Sequence, residues 1–360
     1  MKIGFVTIWA HRGQAYVTKA IKEALDKEHE TFVFARKGFV YKNNKELYPI
    51  QETTGEWKAK NIYLYPEYKI NPVHLADWVI DNKIDCVVFN EEYQWELVSM
   101  VNSLGVKTVT YVDWFCKETM KNHIMYDLNI ICAKHTAEAF REHNLPYEYI
   151  DWGVDTKRFK PQENKDKCTF FHSSGWGGVN LRKCTDIIFR CFADLSKKYK
   201  DISLFWHSQS DLSRYPDSLL EIIKKYNVKT FFGDVDHPCL YHKGKIHLAV
   251  SKLEGLGLYI PEGLACGLPT ITTNEPPMNQ FVDNNNGFPV RSISKHKRAD
   301  NYYFNEYEID EKMLYDRMEQ AINLGDKEYK EKSKNAIETI KDNYGLEKFN
   351  KNIIKLFGRL

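Results

Sequence analysis

Residues 251–269 read SKLEGLGLYIPEGLACGLP, which places four glycines in nineteen positions and two glutamates, Glu254 and Glu262, eight apart, each directly before a glycine. An apolar run, Ile246–Val250, leads into this stretch and another, Leu268–Thr272, leads out of it. A strand, a glycine-bent loop, a short helix and a second strand is one turn of a doubly wound parallel sheet. In such sheets ligands meet the chain where strand ends give way to helix starts, so the glycine cluster marks a candidate site as well as a fold.

The same rhythm extends outward in both directions. Toward the N-terminus, strands are predicted at Lys2–Ile8, Thr31–Ala35, Asn61–Tyr65, Ile84–Asn90, Val106–Val112, Leu128–Ala133 and Tyr147–Asp151. Helices fall between them near 14–27, 72–82, 92–103, 117–126 and 135–144, the second opened by the Asn71–Pro72 cap pair. In the first helix Val17, Ala20, Ile21, Ala24 and Leu25 recur at three- and four-residue spacing, one apolar stripe for the sheet. The pattern pauses at the polar stretch Lys157–Lys167 and restarts at Cys168. Strands are then expected at 168–173, 202–207, 228–232, 246–250 and 268–272, and helices near 181–199 and 217–226. A helical tail begins about Asp310, its last segment gathering Leu346, Phe349, Ile353, Leu356 and Phe357 on one side. The chain of 360 residues therefore reads as two doubly wound α/β domains in tandem.

Composition narrows the partners. Lys and Arg total 51 against 49 Asp and Glu, a net charge of +2, without the basic excess that nucleic-acid binding needs. Membrane docking is expected to be at most weak and peripheral. No apolar run reaches the 18 or so residues of a membrane span and no export signal is evident, so a cytoplasmic place, at most peripheral to the inner face of a membrane, is expected. Eight cysteines form no C-x-x-C pair and read as reduced thiols.

The glycine cluster also carries chemistry. Glycines at 255 and 257 let backbone N–H groups approach a sugar or phosphate, and Pro261 is read as the start of a helix whose positive end faces the same anion. Glu262, in its first turn, can accept two ribose hydroxyls. With Ser251, Leu256, Leu258, Ala265, Gly267 and Pro269, the stretch resembles the S-x-x-E-G-F-G-L and E-A-x-A-x-G-x-P motifs of the retaining nucleotide-sugar glycosyltransferases of family 4. Leu256 stands for Phe and Gly263 for Ala. The resemblance continues in Ile150–Pro161, similar to I-P-N-G-V-D-x-x-x-F-x-P, and in Gln280–Val282 with Gly287.

That resemblance implies a GT-B fold of two Rossmann-like domains facing across a cleft. Residues 1–155 would form the acceptor side and 156–340 the nucleotide-sugar donor side, with a helix at 341–360 crossing back onto the first domain. It assigns Glu254 to the hydroxyls of the donor sugar. A second cluster, His172-Ser-Ser-Gly-Trp-Gly-Gly178, precedes Arg182 and Lys183 at a helix start; Gly175, Gly177 and the two cations suit a diphosphate. Aligning Lys183 with the family lysine leaves Gly178 at the family arginine, a role that falls to Arg182. In the first domain Arg12 and Gly13 follow strand one, where the family meets the diphosphate. Asp113 occupies the place of a family histidine near the donor sugar; it is a catalytic candidate that could equally cap the following helix. Glu91, Glu92, Trp95 and Trp114 are expected on the acceptor side.

The expected activity is transfer of a sugar, with retention, from a nucleoside-diphosphate sugar to a glycan, lipid-linked or other hydroxyl acceptor. No cofactor or metal is required. Asp234-Val-Asp236 matches a metal-binding D-x-D pattern, but with 22 aspartates about one such triplet is expected by chance. His237, His242 and His247 are five apart, no ligand spacing. A catalytically silent nucleotide-sugar binding protein and a GT-B epimerase or hydrolase are the alternatives.

Overall fold

The computed structural model describes residues 1–38, 51–163, 167–175, 182–233, 235 and 239–360. It divides into two compact units, Met1–Asp151 with Glu347–Leu360, and Trp152–Leu346.

The first unit alternates β1 (Lys2–Ile8), α1 (Gly13–Leu25), β2 (Glu30–Arg36), β3 (Ile62–Leu64), α2 (Pro72–Asp81), β4 (Cys86–Asn90), α3 (Trp95–Ser103), β5 (Lys107–Tyr111), β6 (Leu128–Ile131), α4 (Lys134–Glu142) and β7 (Glu148–Tyr149). Among the described residues the strands form one parallel sheet in the order β3-β2-β1-β4-β5-β6-β7. Order reverses between β1 and β4, which makes the carboxyl ends of those strands the topological switch point. Burial explains the middle of the sheet: Ile3, Phe5 and Val6 of β1 and Val87 and Phe89 of β4 are covered on both faces. As the cap pair predicts, the Asn71 side chain accepts the Val73 N–H at 2.9 Å, with Pro72 opening α2. The helix expected at 117–126 is instead a 3₁₀ segment, Met120–Met125. Met120 and His123, three apart and buried, eclipse on one side while Ile124 stays exposed, which suits three residues per turn.

The second unit runs β8 (Cys168–Gly175), α5 (Thr185–Lys198), β9 (Leu204–Ser208), α6 (Asp217–Lys225), β10 (Val228–Phe232), β11 (Gly244–Ala249), α7 (Tyr259–Ala265), β12 (Thr270–Thr273), β13 (Gly287–Val290), β14 (Ser292–Lys297), β15 (Asn305–Ile309), α8 (Glu311–Ile322) and α9 (Asp326–Asn343). Its parallel sheet has the order β10-β9-β8-β11-β12-β13, with the switch point between β8 and β11. Phe170, Phe189, Trp206, Leu248 and Ile271 pack its core. The antiparallel ribbon β14–β15 escaped the sequence pattern because Ser292–Lys297 is mostly exposed and carries no apolar alternation. Asp310 caps α8 by accepting the Met313 N–H.

A last helix, α10 (Leu346–Phe357), buries Phe349, Ile353, Leu356 and Phe357. Lys348 and Arg359 reach Asp151 and Glu148 at 3.8 and 3.7 Å. The two strands of chain that pass from one unit to the other are stitched together: Val154 donates its N–H to Tyr344 and accepts that of Leu346. Among the described residues no helix is long and apolar enough to cross a membrane. All eight cysteines are free, six of them buried.

Candidate functional site

At the switch point of the second unit the loops after β8 and β11 meet. Arg182 accepts the Lys252 N–H on its carbonyl at 2.8 Å and the Ser251 hydroxyl at 3.2 Å, which fixes one loop against the other. Arg182 and Lys183 are not in the helix expected to begin at 181. They lie in the turn before α5, behind Cys184 in a left-handed conformation (φ 51°). Freed from the 100° rotation between helical neighbours, both cations converge on one carboxylate. Lys183 Nζ donates to Glu254 Oε1 at 2.5 Å and Arg182 Nη1 to Oε2 at 3.1 Å. Ser251 and Tyr259 hydroxyls also donate to Oε1, at 2.6 and 3.3 Å, and the Lys183 ammonium sits 3.6 Å from the centre of the Tyr259 ring.

Glu254 and Lys183 are 5 and 7 % exposed. Burial by itself would raise the Glu254 pKa, but Arg182, Lys183 and the hydrogen bonds overcome it and hold the carboxyl down to about 2. Burial pushes Lys183 down to about 8, against the pull of Glu254 and with Arg182 repelling it. Two cations thus close on one carboxylate at the end of the sheet. Because the Glu254 pKa is depressed, its ionised form stabilises the fold above the ordinary carboxylate value, and that contribution is lost as pH falls toward 2.

Glu262 lies in the first turn of α7, as read, but the helix begins at Tyr259 and Pro261 is its third residue rather than its first. Gly255, Leu256 and Gly257 are buried in the loop before it, and Leu258 is its half-buried N-cap. Gly257 needs its lack of side chain: φ is +79°, and a Cβ would lie 3.2 Å from Ile260 Cδ1. Glu262 accepts a short hydrogen bond from the Tyr241 hydroxyl. Burial raises its pKa to about 7, against that hydrogen bond and the charge of Arg158. Glu254 and Glu262 thus sit in one unit with opposite electrostatic settings. Gly175 ends β8 with φ +49°. Trp176, Gly177, Gly178, Asp234, Asp236 and His237 lie outside the described residues. Among the described residues no group of three or more His, Cys, Asp and Glu side chains is placed to hold a metal ion.

In the first unit Arg12 and Gly13 follow β1, Glu91 follows β4 and Asp113 follows β5, all at the carboxyl edge of the sheet. Arg12 is the N-cap residue of α1 and Gly13 its exposed first residue. Asp113 does not cap a helix, since the next helical segment has Thr119 at its N-cap. Glu91 takes φ 51°, a costly conformation for a glutamate, and its carboxyl is pushed up to about 8 by burial and by Asp113. Glu91, Glu92, Trp95 and Trp114, the residues expected on the acceptor side, line one narrow pocket with Tyr111 and Tyr126. Within it Glu92 is already engaged. It accepts Arg36 Nη1 at 3.1 Å and the backbone N–H groups of Tyr93 and Gln94 at 2.9 Å each. Glu91 and Asp113 lie at the same edge of the sheet. Sequence reasoning missed Tyr241, Tyr259 and Arg36; Tyr241 and Arg36 pair with glutamates distant in sequence, and Tyr259 with Glu254 in the same loop-and-helix stretch.

Two parallel-sheet Rossmann-like units in tandem are the GT-B architecture, and the chain has that fold. It is similar over nearly its whole length to a glycosyltransferase from Rickettsia africae ESF-5, with 15 % identity, 99 % of this chain and 98 % of that one covered, and a TM-score of 0.75. Anabaena Alr3699/HepE, solved with UDP and glucose, gives 13 % identity, full coverage of both chains and a TM-score of 0.74. The pneumococcal O-GlcNAc transferase GtfA, solved with UDP and GlcNAc, gives 10 % identity, 100 and 99 % coverage, and 0.74. Residues 176–301, the stretch that carries Arg182, Lys183, Glu254 and Glu262, match the family described as glycosyl transferases group 1. That match lies within the second unit. No curated protein matches the sequence.

Proposed function

We propose that the chain transfers a sugar, with retention of configuration, from a nucleoside-diphosphate sugar to the hydroxyl of a glycan or lipid-linked acceptor, without a metal. The observation that carries this reading is the Lys183–Arg182–Glu254 cluster, two cations gathered at the switch point of the second unit within the stretch that matches glycosyl transferases group 1. In the reaction the bond from sugar C1 to the diphosphate oxygen breaks with its electron pair on that oxygen. The acceptor oxygen bonds to C1, and its proton passes to the leaving diphosphate oxygen. Lys183 and Arg182 meet the charge that builds on the leaving diphosphate. By the resemblance, Asp113 is assigned to offsetting positive charge on the sugar, Arg12 to phosphate or acceptor, and Gly13 to the diphosphate.

Two neighbours in fold were captured with UDP, which makes UDP-sugars the first donors to try. A thermal-shift screen of UDP-, GDP- and ADP-sugars tests the reading. A donor at 100 times its dissociation constant adds about 2.7 kcal/mol of stability. Transfer with the donor so found should survive EDTA. Loss of activity on chelation, restored by manganese, would replace the cation mechanism with a metal-dependent one. Stabilisation without transfer to any acceptor would leave the silent binder.

Glu262 is assigned to the ribose, whose hydroxyls donate to its ionised form. With a carboxyl that titrates near 7, uridine should bind more tightly as pH rises through that value. Uridine has no phosphate to confuse the result. Glu262→Gln should abolish the pH dependence, and above it Glu262→Ala should weaken uridine by about 2 kcal/mol, roughly thirtyfold. The sign for stability is opposite: the folded state holds this proton more tightly than the unfolded chain, so stability drops as pH climbs from 4.5 to about 7. Calorimetric affinity for uridine that is flat in pH would remove Glu262 from the ribose.

A further inference from the structure

His247, on β11, is fully buried, and neither ring nitrogen has a hydrogen-bond partner among the described residues. Burial, with His172 and Lys183 nearby, pushes its pKa down to about 3, so the ring is neutral across the physiological range. A buried polar ring without partners costs stability that an apolar side chain would not. Its surroundings show what it does there. The imidazole stacks on Phe171 at 5.2 Å and meets two tyrosines edge-on, Tyr241 at 5.8 Å and Tyr259 at 5.7 Å. Tyr241 donates to Glu262 and Tyr259 donates to Glu254. The ring thus lies between the only two hydroxyl-bearing aromatics that hold the two glutamates of the 254–262 motif, among the described residues.

The fourth wall is α7. A Cβ added to Gly263 would stand 2.4 Å from His247 Nδ1 and 3.1 Å from Cε1, inside any tolerable contact. Gly263 is the position at which this chain departs from the alanine of the motif it resembles, and the imidazole fills the space that the methyl would need. Gly263 directly follows Glu262 in the same helix.

We propose that His247 and Gly263 are a complementary pair of positioning residues that hold Glu254 and Glu262, through Tyr259 and Tyr241, in the geometry that binds the donor. The role in donor binding rests on the function proposed above; the coupling of the pair to the two carboxyl groups does not. The imidazole supplies shape rather than charge. It is flat enough to pass between Phe171 and Gly263 and broad enough to brace both tyrosines.

A double-mutant cycle on the full chain tests this. Gly263→Ala is expected to weaken UDP binding about tenfold or more in the His247 protein, and by no more than about twofold when His247→Ala has already made room. Carboxyl ¹³C resonances of Glu254 and Glu262 in ligand-free protein supply a readout that needs no nucleotide. They should move in Gly263→Ala and be indifferent to that change in the His247→Ala background. A role in packing alone would lower the melting temperature of Gly263→Ala while leaving both resonances and UDP affinity at their parental values, and that result overturns the proposal. So does an equal penalty in both backgrounds. If the parent protein binds no nucleotide but the resonances show the coupling, the pair stands and the donor reading falls.

Discussion

Lys183→Ala should lose about 3 kcal/mol of stability and roughly a hundredfold in UDP affinity, while uridine binds nearly as before. Removing one partner of a buried ion pair leaves the other charge uncompensated, and Glu254 is almost wholly buried with Lys183 on one oxygen. Arg182 remains on the other oxygen but is more exposed, so it offsets only part of the loss. The diphosphate then finds one cation where it had two. Glu254→Gln should separate the two effects. It also destabilises the ligand-free protein, yet UDP should bind more tightly, because the nucleotide supplies the anion that the two cations have lost. Thermal melts with and without UDP, together with calorimetry for UDP and uridine, check both variants. Equal losses for nucleoside and nucleotide in Lys183→Ala would confine Lys183 to holding the fold.

Asp113→Asn should cut turnover by about 10²-fold or more while UDP affinity stays within about threefold, because the lost charge acts on the transition state. Asparagine preserves size and hydrogen bonding, and the cap role that would have made it harmless is absent, since Thr119 holds the next N-cap. There is a second readout in the neighbouring side chain. Asp113 helps to hold the Glu91 carboxyl up at about 8, so the variant should shift the titration of Glu91 downward. Parental turnover in the asparagine variant would strike Asp113 from the catalytic candidates.

The alternation of strands and helices was legible because each buried strand is a short apolar run and each helix carries a stripe. Lys2–Ile8 and Val228–Phe232 were bounded to the residue. Where the pattern misled, geometry local to a few residues was responsible. Met120–Met125 has helical composition but too few buried side chains to wind a full α-helix, and Ser292–Lys297 pairs in a ribbon with one face in water. The site divides in the same way. Glu254, Glu262, Arg182 and Lys183 were found because a motif names them. That the cations close on Glu254 depends on Cys184 turning the chain left-handed before α5, which no periodicity reveals. His247 was noticed only as a histidine without ligand spacing, although Gly263 in place of alanine was the visible sign of its bulk.

The division of the chain bears on the order in which it can be made. Trp152–Leu346 is one continuous segment, so the second unit has all of its residues once Leu346 leaves the ribosome. The first unit, begun at Met1, still lacks Glu347–Leu360 and with it Phe349, Ile353 and Phe357. Residues 1–151 are therefore made before the second unit but completed only after it. Until the helix arrives, the apolar surface that it covers faces water on a nascent chain, and chaperone demand and aggregation during synthesis should concentrate on residues 1–151.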